Sequence, residues 1–305
     1  MDYCLITQNI TKKYRKFTAL NGVNMSVPKG AIYGFVGKNG AGKTTLIRII
    51  TGLQEPSEGE YTLLGIKNND TKNLLRARRR TGAIVETPAV YGNMTAYENM
   101  RHQSILSGNP SFDQLPELLE LVGLNALDTK KVKNFSLGMR QRLSIALTLV
   151  NNPDFLILDE PINGLDPQGI VEIRELILKL NREKNITFLI SSHILGELSK
   201  LATHYGFIEQ GKIIKEMSAK ELEEQCRKKT YIKVANENSL AIVLDKTNYD
   251  YKLLSPTECE IFGDIVLNDL LALFAENKLT LLKINETEED LETYFINLVG
   301  GKLNE

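Results

Sequence analysis

The sequence predicts an α/β fold with a parallel sheet, followed by a smaller α+β domain. Three short apolar runs lie at residues 31–36, 154–159 and 186–192, and such runs are typical of strands buried on both faces. Helical patterns separate these runs, and strands that alternate with helices indicate a parallel sheet. The pattern changes near residue 216, which divides the chain into predicted domains at 1–216 and 217–305.

Composition argues against a nucleic-acid binder, a cysteine metal site, a secreted protein and a membrane-spanning protein. The 305 residues carry a formal net charge of -1, which does not suggest a nucleic-acid binder. The three cysteines are scattered, show no metal-ligand spacing and indicate a reducing compartment. The N-terminus lacks the apolar stretch of a signal peptide, and no segment approaches the roughly 20 apolar residues that span a bilayer. We therefore expect a cytoplasmic protein whose role at a membrane, if any, comes through a partner.

The first apolar run is followed by a glycine-rich loop and then by a helical pattern that Gly52 closes. The loop reads Gly37-Lys38-Asn39-Gly40-Ala41-Gly42-Lys43-Thr44 and matches the phosphate-binding pattern G-x-x-x-x-G-K-[ST]. Its glycines let backbone N–H groups curl around phosphate oxygens, and the helix adds its positive N-terminal end. In such a loop Lys43 reaches the β- and γ-phosphates, and the Thr44 hydroxyl ligates Mg²⁺.

The second apolar run ends in two acids, Asp159 and Glu160, after a mostly helical stretch at 94–150. A strand that ends this way brings a carboxylate to the carboxyl edge of the sheet, where ligands bind in such folds. Asp159 is predicted to hold Mg²⁺ through water, and Glu160 to orient or deprotonate the attacking water. The alternative is that the two acids cap the following turn. Beside the phosphate loop the first interpretation is favoured, and the two motifs together predict a P-loop NTPase.

The region after residue 216 contains a short polar helix followed by a predicted order of strand, helix, strand, strand, helix and strand, then a last helix. This order matches the split βαβ plan. Thr287 and Asp290 are placed as a capping box for the last helix. The apolar face of that helix consists of Leu291, Tyr294, Phe295 and Leu298. Because this domain has no cluster of acids, histidines or cysteines at site-like spacing, it is interpreted as regulatory or dimer-supporting.

Four further features carry a resemblance to one family. The segment Phe135-Ser136-Leu137-Gly138-Met139 resembles the ABC signature LSGGQ, with Leu137 and Met139 in place of Gly and Gln. The segment Gly164-Leu165-Asp166 resembles the D-loop, and Ser191-Ser192-His193, after the third apolar run, resembles the H-switch. Tyr14 stands where the family places the aromatic residue that stacks on adenine. Because these motifs occur in the expected order, residues 1 to about 215 are identified as a member of the ABC ATPase family.

The resemblance implies a mostly parallel sheet core with an antiparallel N-terminal subdomain and a helical subdomain. It also implies a head-to-tail dimer of two copies, each ATP lying between the phosphate loop of one copy and Ser136 and Gly138 of the other. A helix that begins at Ser136 suits a γ-phosphate. The implied catalytic residues are Glu160, His193 and Lys43, and the implied Mg²⁺ ligands are Thr44, Glu86 and Asp159. The implied nucleotide-binding residues are Tyr14, Gly37, Lys38, Asn39, Gly40, Ala41, Gly42, Lys43, Thr44, Thr45, Glu86, Ser136, Gly138 and Asp166.

Glu86 occupies the Q-loop position, where most relatives have Gln. Together with the segment SLGMRQRL and the C-terminal helix, it looks like the bacitracin and lantibiotic self-protection branch of ABC exporters. That branch implies an ATPase at the cytoplasmic face of the cell membrane that drives export of a peptide antibiotic or other drug through a separate integral-membrane permease. Two other functions stay open: a soluble ABC ATPase without a membrane partner, such as an assembly factor, and an exporter ATPase for a metabolite or sodium.

Three features also have plain structural alternatives. Tyr14 could be core or surface filler, and a lone histidine such as His193 is more often structural. The arginine-rich run at 76–80 could meet lipid headgroups, but a solvated helix face is the simpler interpretation. For the first two, position relative to the other motifs favours the functional interpretation.

Overall fold

The computed structural model describes residues 2–86, 89–108, 111–235, 240–287 and 291–299. The chain divides into two compact units, Met1–Ala219 and Lys220–Glu305. This division lies close to the predicted boundary after residue 216. The assignment of 217–305 as a separate accessory domain remains a prediction.

The first unit begins with an antiparallel sheet of four strands in the order β2-β1-β4-β5. Its strands are β1 (Tyr3–Tyr14), β2 (Phe17–Pro28), β4 (Glu58–Leu63) and β5 (Ile66–Lys67). A tight hairpin joins β1 to β2 and places Tyr14 opposite Phe17. This sheet is the antiparallel N-terminal subdomain that the resemblance implied.

The second sheet has six strands in the order β10-β9-β3-β8-β7-β6. They are β3 (Ile32–Val36), β6 (Thr81–Ile84), β7 (Phe155–Asp159), β8 (Thr187–Ser192), β9 (His204–Glu209) and β10 (Lys212–Ser218). Every pair is parallel except β9 with β10. The three predicted apolar runs form β3, β7 and β8, and every residue of these strands is buried. The predicted parallel α/β core is confirmed.

Seven helices accompany these sheets in the described part of the first unit. They are α1 (Lys43–Ile50), α2 (Thr71–Arg79), α3 (Ala96–Leu106), α4 (Leu115–Leu121), α5 (Leu137–Leu149), α6 (Pro167–Lys184) and α7 (Leu195–Leu198). Helices α3, α4 and α5 pack on one another and form the helical subdomain. In the arginine-rich run, Arg76 and Arg79 are exposed, whereas Arg78 donates a hydrogen bond to the Tyr61 hydroxyl.

The second unit contains one four-stranded antiparallel sheet, in the order β12-β13-β11-β14. Its elements, after α8 (Ala219–Cys226), are β11 (Lys229–Val234), α9 (Leu240–Leu244), β12 (Asp250–Ser255), β13 (Glu258–Phe262), α10 (Leu267–Glu276), β14 (Leu281–Thr287) and α11 (Leu291–Val299). This is the split βαβ arrangement. The core joins strand residues such as Ile232 and Cys259 to Phe274 of α10.

The last helix, α11, differs from its prediction at its start. Tyr294, Phe295 and Leu298 are buried, in line with the predicted apolar face. Thr287 instead belongs to β14, and its hydroxyl donates to the Lys229 carbonyl at 3.3 Å. Thr287, which was predicted to cap α11, is therefore the last residue of β14. Asp290 lies outside the described residues. Among the helices described in both units, none has the length and apolar character needed to cross a membrane.

Candidate nucleotide site

The glycine-rich loop connects β3 to α1 and is packed tightly against its neighbours. Gly42 has a left-handed φ of 114°, and a Cβ placed there would lie 2.8 Å from the Ala19 carbonyl oxygen. A Cβ at Gly37 would lie 2.6 Å from the Ile208 carbonyl oxygen. Real side chains do not approach a backbone oxygen this closely, so glycine is required at both positions. The loop backbone is thereby held in the curled form that a phosphate needs.

Lys43 lies inside this loop, with only 5% of the residue exposed. Its ammonium group donates to the Gly37 carbonyl at 2.6 Å and to the Lys38 carbonyl at 3.4 Å. It also lies 3.3 Å from Glu160 Oε1. A buried ammonium needs such partners, and an incoming phosphate would offer it a stronger one.

Thr44 and Asp159 meet at the end of β7. The Thr44 hydroxyl donates to Asp159 Oδ2 at 2.8 Å, and the Ser191 hydroxyl donates to Asp159 Oδ1. Asp159 is 3% exposed, so these two hydroxyls provide hydrogen bonds that a buried carboxylate requires. Ser191 belongs to the H-switch segment but was not assigned to the site from the sequence. The parallel pairing of β7 with β8, which sets Asp159 opposite Ser191, brings it there.

Glu160 follows Asp159 and points toward both Lys43 and His193. Its backbone has a left-handed φ of 50°, and its N–H donates to the Ser191 hydroxyl at 3.0 Å. Its Oε2 lies 2.8 Å from His193 Nδ1. Its buried Oε1 has no hydrogen-bond partner and contacts Lys43 at ion-pair distance only. The three side chains predicted as catalytic thus come together from three separate elements, α1, the end of β7 and the end of β8.

A cavity of about 300 Å³ lies directly against these groups. It is lined by Phe17, Ala19, Lys38, Asn39, Gly40, Gly42, Lys43, Thr44, Thr45 and Glu160. Most of the predicted nucleotide-binding residues of the loop are therefore on its wall. Ala41 is not part of this lining; its backbone forms hydrogen bonds with Lys38 and Gly211.

The aromatic residue that lines this cavity is Phe17, and the stacking of Tyr14 on adenine stays a prediction. The Tyr14 hydroxyl donates to Gln54 Oε1 at 2.5 Å, and the Lys12 ammonium lies 5.4 Å from the centre of its ring. Tyr14 is absent from the cavity lining, whereas Phe17 is part of it and is 62% exposed. The sequence offered one signal for Phe17, because it is a second aromatic residue only three positions after Tyr14.

Among the described contacts Glu86 does not join Thr44 and Asp159, and its role as a Mg²⁺ ligand stays a prediction. Its carboxylate instead forms an ion pair with the Arg48 guanidinium of α1. The Glu86 side chain is 56% exposed, and its φ of 63° is left-handed. A glutamate at this position carries the charge that an ion pair with Arg48 requires, whereas a glutamine could offer only a neutral hydrogen-bond acceptor.

Ser136, Gly138 and Asp166 lie away from the cavity of their own chain. The Ser136 side chain caps α5 by accepting from the Met139 N–H at 3.2 Å, and the residue is exposed. Asp166 caps α6 in the same way, accepting from the Gly169 N–H at 3.2 Å. None of the three lines the cavity. Their role at a nucleotide stays a prediction.

Comparisons with known proteins agree with this geometry. A family described as "ABC transporter" matches residues 20–163. The bacitracin transport ATP-binding protein BcrA of Bacillus licheniformis is 40% identical over 304 residues, which is 99% of each chain. The lantibiotic transport ATP-binding protein SrtF of Streptococcus pyogenes is 48% identical over 209 residues, covering 68% of this chain and 88% of that protein.

A solved structure supports the same assignment. An ATP-binding cassette determined as a dimer, in a post-hydrolysis state bound to ADP and Pi, matches with a TM-score of 0.63 and 28% identity. The match covers 70% of this chain and 98% of that one. With its phosphate loop, paired acids and full-length relatives, the chain belongs to the ABC transporter family, as an ATP-binding subunit that hydrolyses ATP.

Proposed function

We propose that this subunit works as a head-to-tail dimer at the cytoplasmic face of a membrane and drives export of a peptide antibiotic through a separate permease. The observation that carries the proposal is the similarity to a bacitracin transport ATP-binding protein over 99% of both chains. That match extends through the predicted accessory domain, which a resemblance in the ATPase motifs alone would not require. The cargo itself is inferred from the relatives, because an ATPase subunit need not touch it.

The oxygen atoms of Thr44 and Asp159 fit a magnesium ion. They lie 2.8 Å apart beside the phosphate loop, and Mg²⁺ is usually held by one or two protein oxygens together with phosphate oxygens and water. Bound there with ATP, Mg²⁺ would neutralise charge that develops on the phosphates. We assign Thr44 as a ligand and Asp159 as a ligand through water.

The remaining site residues act on the phosphates and the attacking water. Lys43 binds the β- and γ-phosphates, which draws its ammonium group from Glu160 and leaves that carboxylate available to accept a proton from water. His193, 2.8 Å from Glu160 Oε2, orients the carboxylate and reaches toward the γ-phosphate. Phe17 stacks on the adenine.

A second copy of the chain completes each site. Ser136 presents an exposed helix N-terminus, and such a terminus favours an anion. Dimeric cassettes among the solved relatives support this arrangement. The γ-phosphate held by one subunit would accept hydrogen bonds from Ser136 and Gly138 of the other.

The permease is proposed to bind along the edge strand of the parallel sheet. A groove of about 250 Å³ runs between β6 and α5, lined by residues that include Ile84, Val85 and Leu147. Ile105 and Leu106 at the end of α3 are 58% and 67% exposed, and exposed apolar side chains of this kind suit a protein partner. This face adjoins Glu86, so a partner held here would act close to the end of β6.

The test is antibiotic resistance in a sensitive bacterial host. The subunit is expressed with the membrane protein encoded beside it, and growth is measured against bacitracin and a lantibiotic. Resistance that requires both proteins, and is lost with Glu160→Gln, is expected. Unchanged sensitivity to both drugs, while the two proteins co-purify from membranes, would refute the cargo. ATPase activity with no membrane protein recovered would favour a soluble ABC ATPase instead.

A further inference from the structure

We propose that Arg48 is the positioning residue of Glu86, and that the Arg48 guanidinium and Mg²⁺ compete for the Glu86 carboxylate. The inference rests on the proposed Mg²⁺ site at Thr44 and Asp159. Its starting point is the ion pair that joins α1 to the chain leaving β6.

Arg48 and Thr44 occupy the same face of α1. Residues four apart are neighbours on a helix surface, separated by about 6 Å along the axis. The Thr44 hydroxyl donates to Asp159, whereas the Arg48 side chain, 33% exposed, reaches Glu86. The Glu86 carboxylate is therefore paired with a residue that lies one helical turn from Thr44.

The strand register brings Glu86 level with Glu160. Strands β6 and β7 are parallel with Ile84 opposite Leu158, and each glutamate follows two residues after its member of that pair. Both have left-handed backbone conformations, with φ of 63° and 50°, which are unfavourable for residues other than glycine and persist where contacts hold them. Ser191 supplies a backbone contact for Glu160, and Arg48 pairs with the Glu86 side chain.

The charges explain why a competition follows. Three carboxylates, those of Glu86, Asp159 and Glu160, gather at this end of the sheet, and Lys43 lies against only the last of them. Pairing with Arg48 keeps the Glu86 charge away from the other two, since like charges at one site repel. A cation beside Thr44 attracts the same carboxylate, which must leave Arg48 to reach it. A glutamine at position 86 carries no charge, so it would form no ion pair with Arg48, and the competition would be weaker.

The ion pair between Arg48 and Glu86 is weak enough for a metal ion to displace the guanidinium. Its side chains are 33% and 56% exposed, and exposed ion pairs contribute at most about 1 kcal/mol, or about fivefold in an equilibrium constant. Arg48 should therefore weaken metal binding by up to about fivefold, and only while residue 86 is a glutamate.

The experiment measures metal binding directly. Mn²⁺ is titrated into the protein holding a non-hydrolysable ATP analogue, and free Mn²⁺ is followed by its EPR signal. The proteins compared are the parent, Arg48→Ala, Glu86→Gln and the double variant, with Arg48→Lys as the charge-keeping control. We expect Arg48→Ala to tighten Mn²⁺ binding by up to about fivefold when Glu86 is present. The change should be smaller in the Glu86→Gln background, and Arg48→Lys should stay near the parent.

Equal changes in the two backgrounds would overturn the proposal, because Arg48 would then act only through its general positive charge. Weaker Mn²⁺ binding by Arg48→Ala would also overturn it. Thermal melting checks folding, and Arg48→Gln replaces the alanine variant if that protein does not fold. A parent that binds no Mn²⁺ with the analogue present would refute the metal site itself, an outcome that is separate from a failure of Arg48.

Discussion

Replacing Glu160 with glutamine tests the hydrolytic site with little change of shape. The Glu160 carboxylate lies 3.3 Å from the Lys43 ammonium and 2.8 Å from His193 Nδ1. The amide keeps a polar atom within reach of His193 but loses the ion pair. Lys43 retains its hydrogen bond to the Gly37 carbonyl at 2.6 Å, so the loop should stay folded.

The expected effect is large on the reaction and small on binding. Loss of a general base typically lowers a rate by about 10² to 10⁴, equivalent to about 3–5 kcal/mol of barrier. Removing one negative charge next to Lys43 also leaves its ammonium group free for a phosphate. ATP should therefore bind at least as tightly as in the parent, accumulate at the interface and hold two subunits together.

The assay has two parts. Phosphate release is measured at saturating Mg-ATP, and association is measured by sedimentation velocity with and without Mg-ATP. Glu183→Gln is the matched control, because Glu183 is an exposed acid on α6 and should behave like the parent in both measurements.

Two results would refute the reasoning. A rate of phosphate release equal to the parent's would remove Glu160 from the role of general base. A protein that binds ATP but remains monomeric at all concentrations would count strongly against the ATP-sandwich dimer.

Three other predictions concern the base contact, the second unit and the cysteines. Phe17→Ala should weaken ATP binding by at least about fivefold, from the loss of about 1 kcal/mol of stacking, and Tyr14→Ala should weaken it less. Titration with a fluorescent ATP analogue measures both affinities, and a larger loss in Tyr14→Ala would assign the stacking to Tyr14. A chain ending at residue 219 should bind ATP as the full chain does in the same titration, and a folded truncated protein without affinity would contradict this. Burial raises the pKa of Cys259 to about 12, so a thiol reagent at pH 8 should label the half-buried Cys226 first; peptide mass mapping checks the order, and faster labelling of Cys259 would contradict it.

Much of the nucleotide site could be predicted because its residues are consecutive in the chain. The phosphate loop, its flanking strand and its helix form one local unit, and backbone geometry alone sets Lys43 and Thr44 near each other. Asp159 and Glu160 were predictable from a different local signal, the end of a fully buried strand. Parallel strands end at the same edge of the sheet, so both motifs had to meet there.

Side chains that lie on the surface were not predictable in this way. Glu86 was predicted as a metal ligand from the position of its motif. Its side chain is long and half exposed, so its direction depends on a neighbouring group, the Arg48 guanidinium. Tyr14 was likewise placed by position, and it is Phe17, three residues later, that lines the cavity.

The sequence by itself determined the fold class, the phosphate loop and the acids at the end of β7, because hydrophobic period and glycine spacing act over a few neighbouring residues. Only the tertiary structure decided the partners of Glu160, Glu86 and Asp159. Three of those partners, His193, Arg48 and Ser191, are 32 to 38 residues away in the chain, and Thr44 is 115 residues from Asp159. Contacts over that distance depend on strand order and register, which a local pattern does not encode.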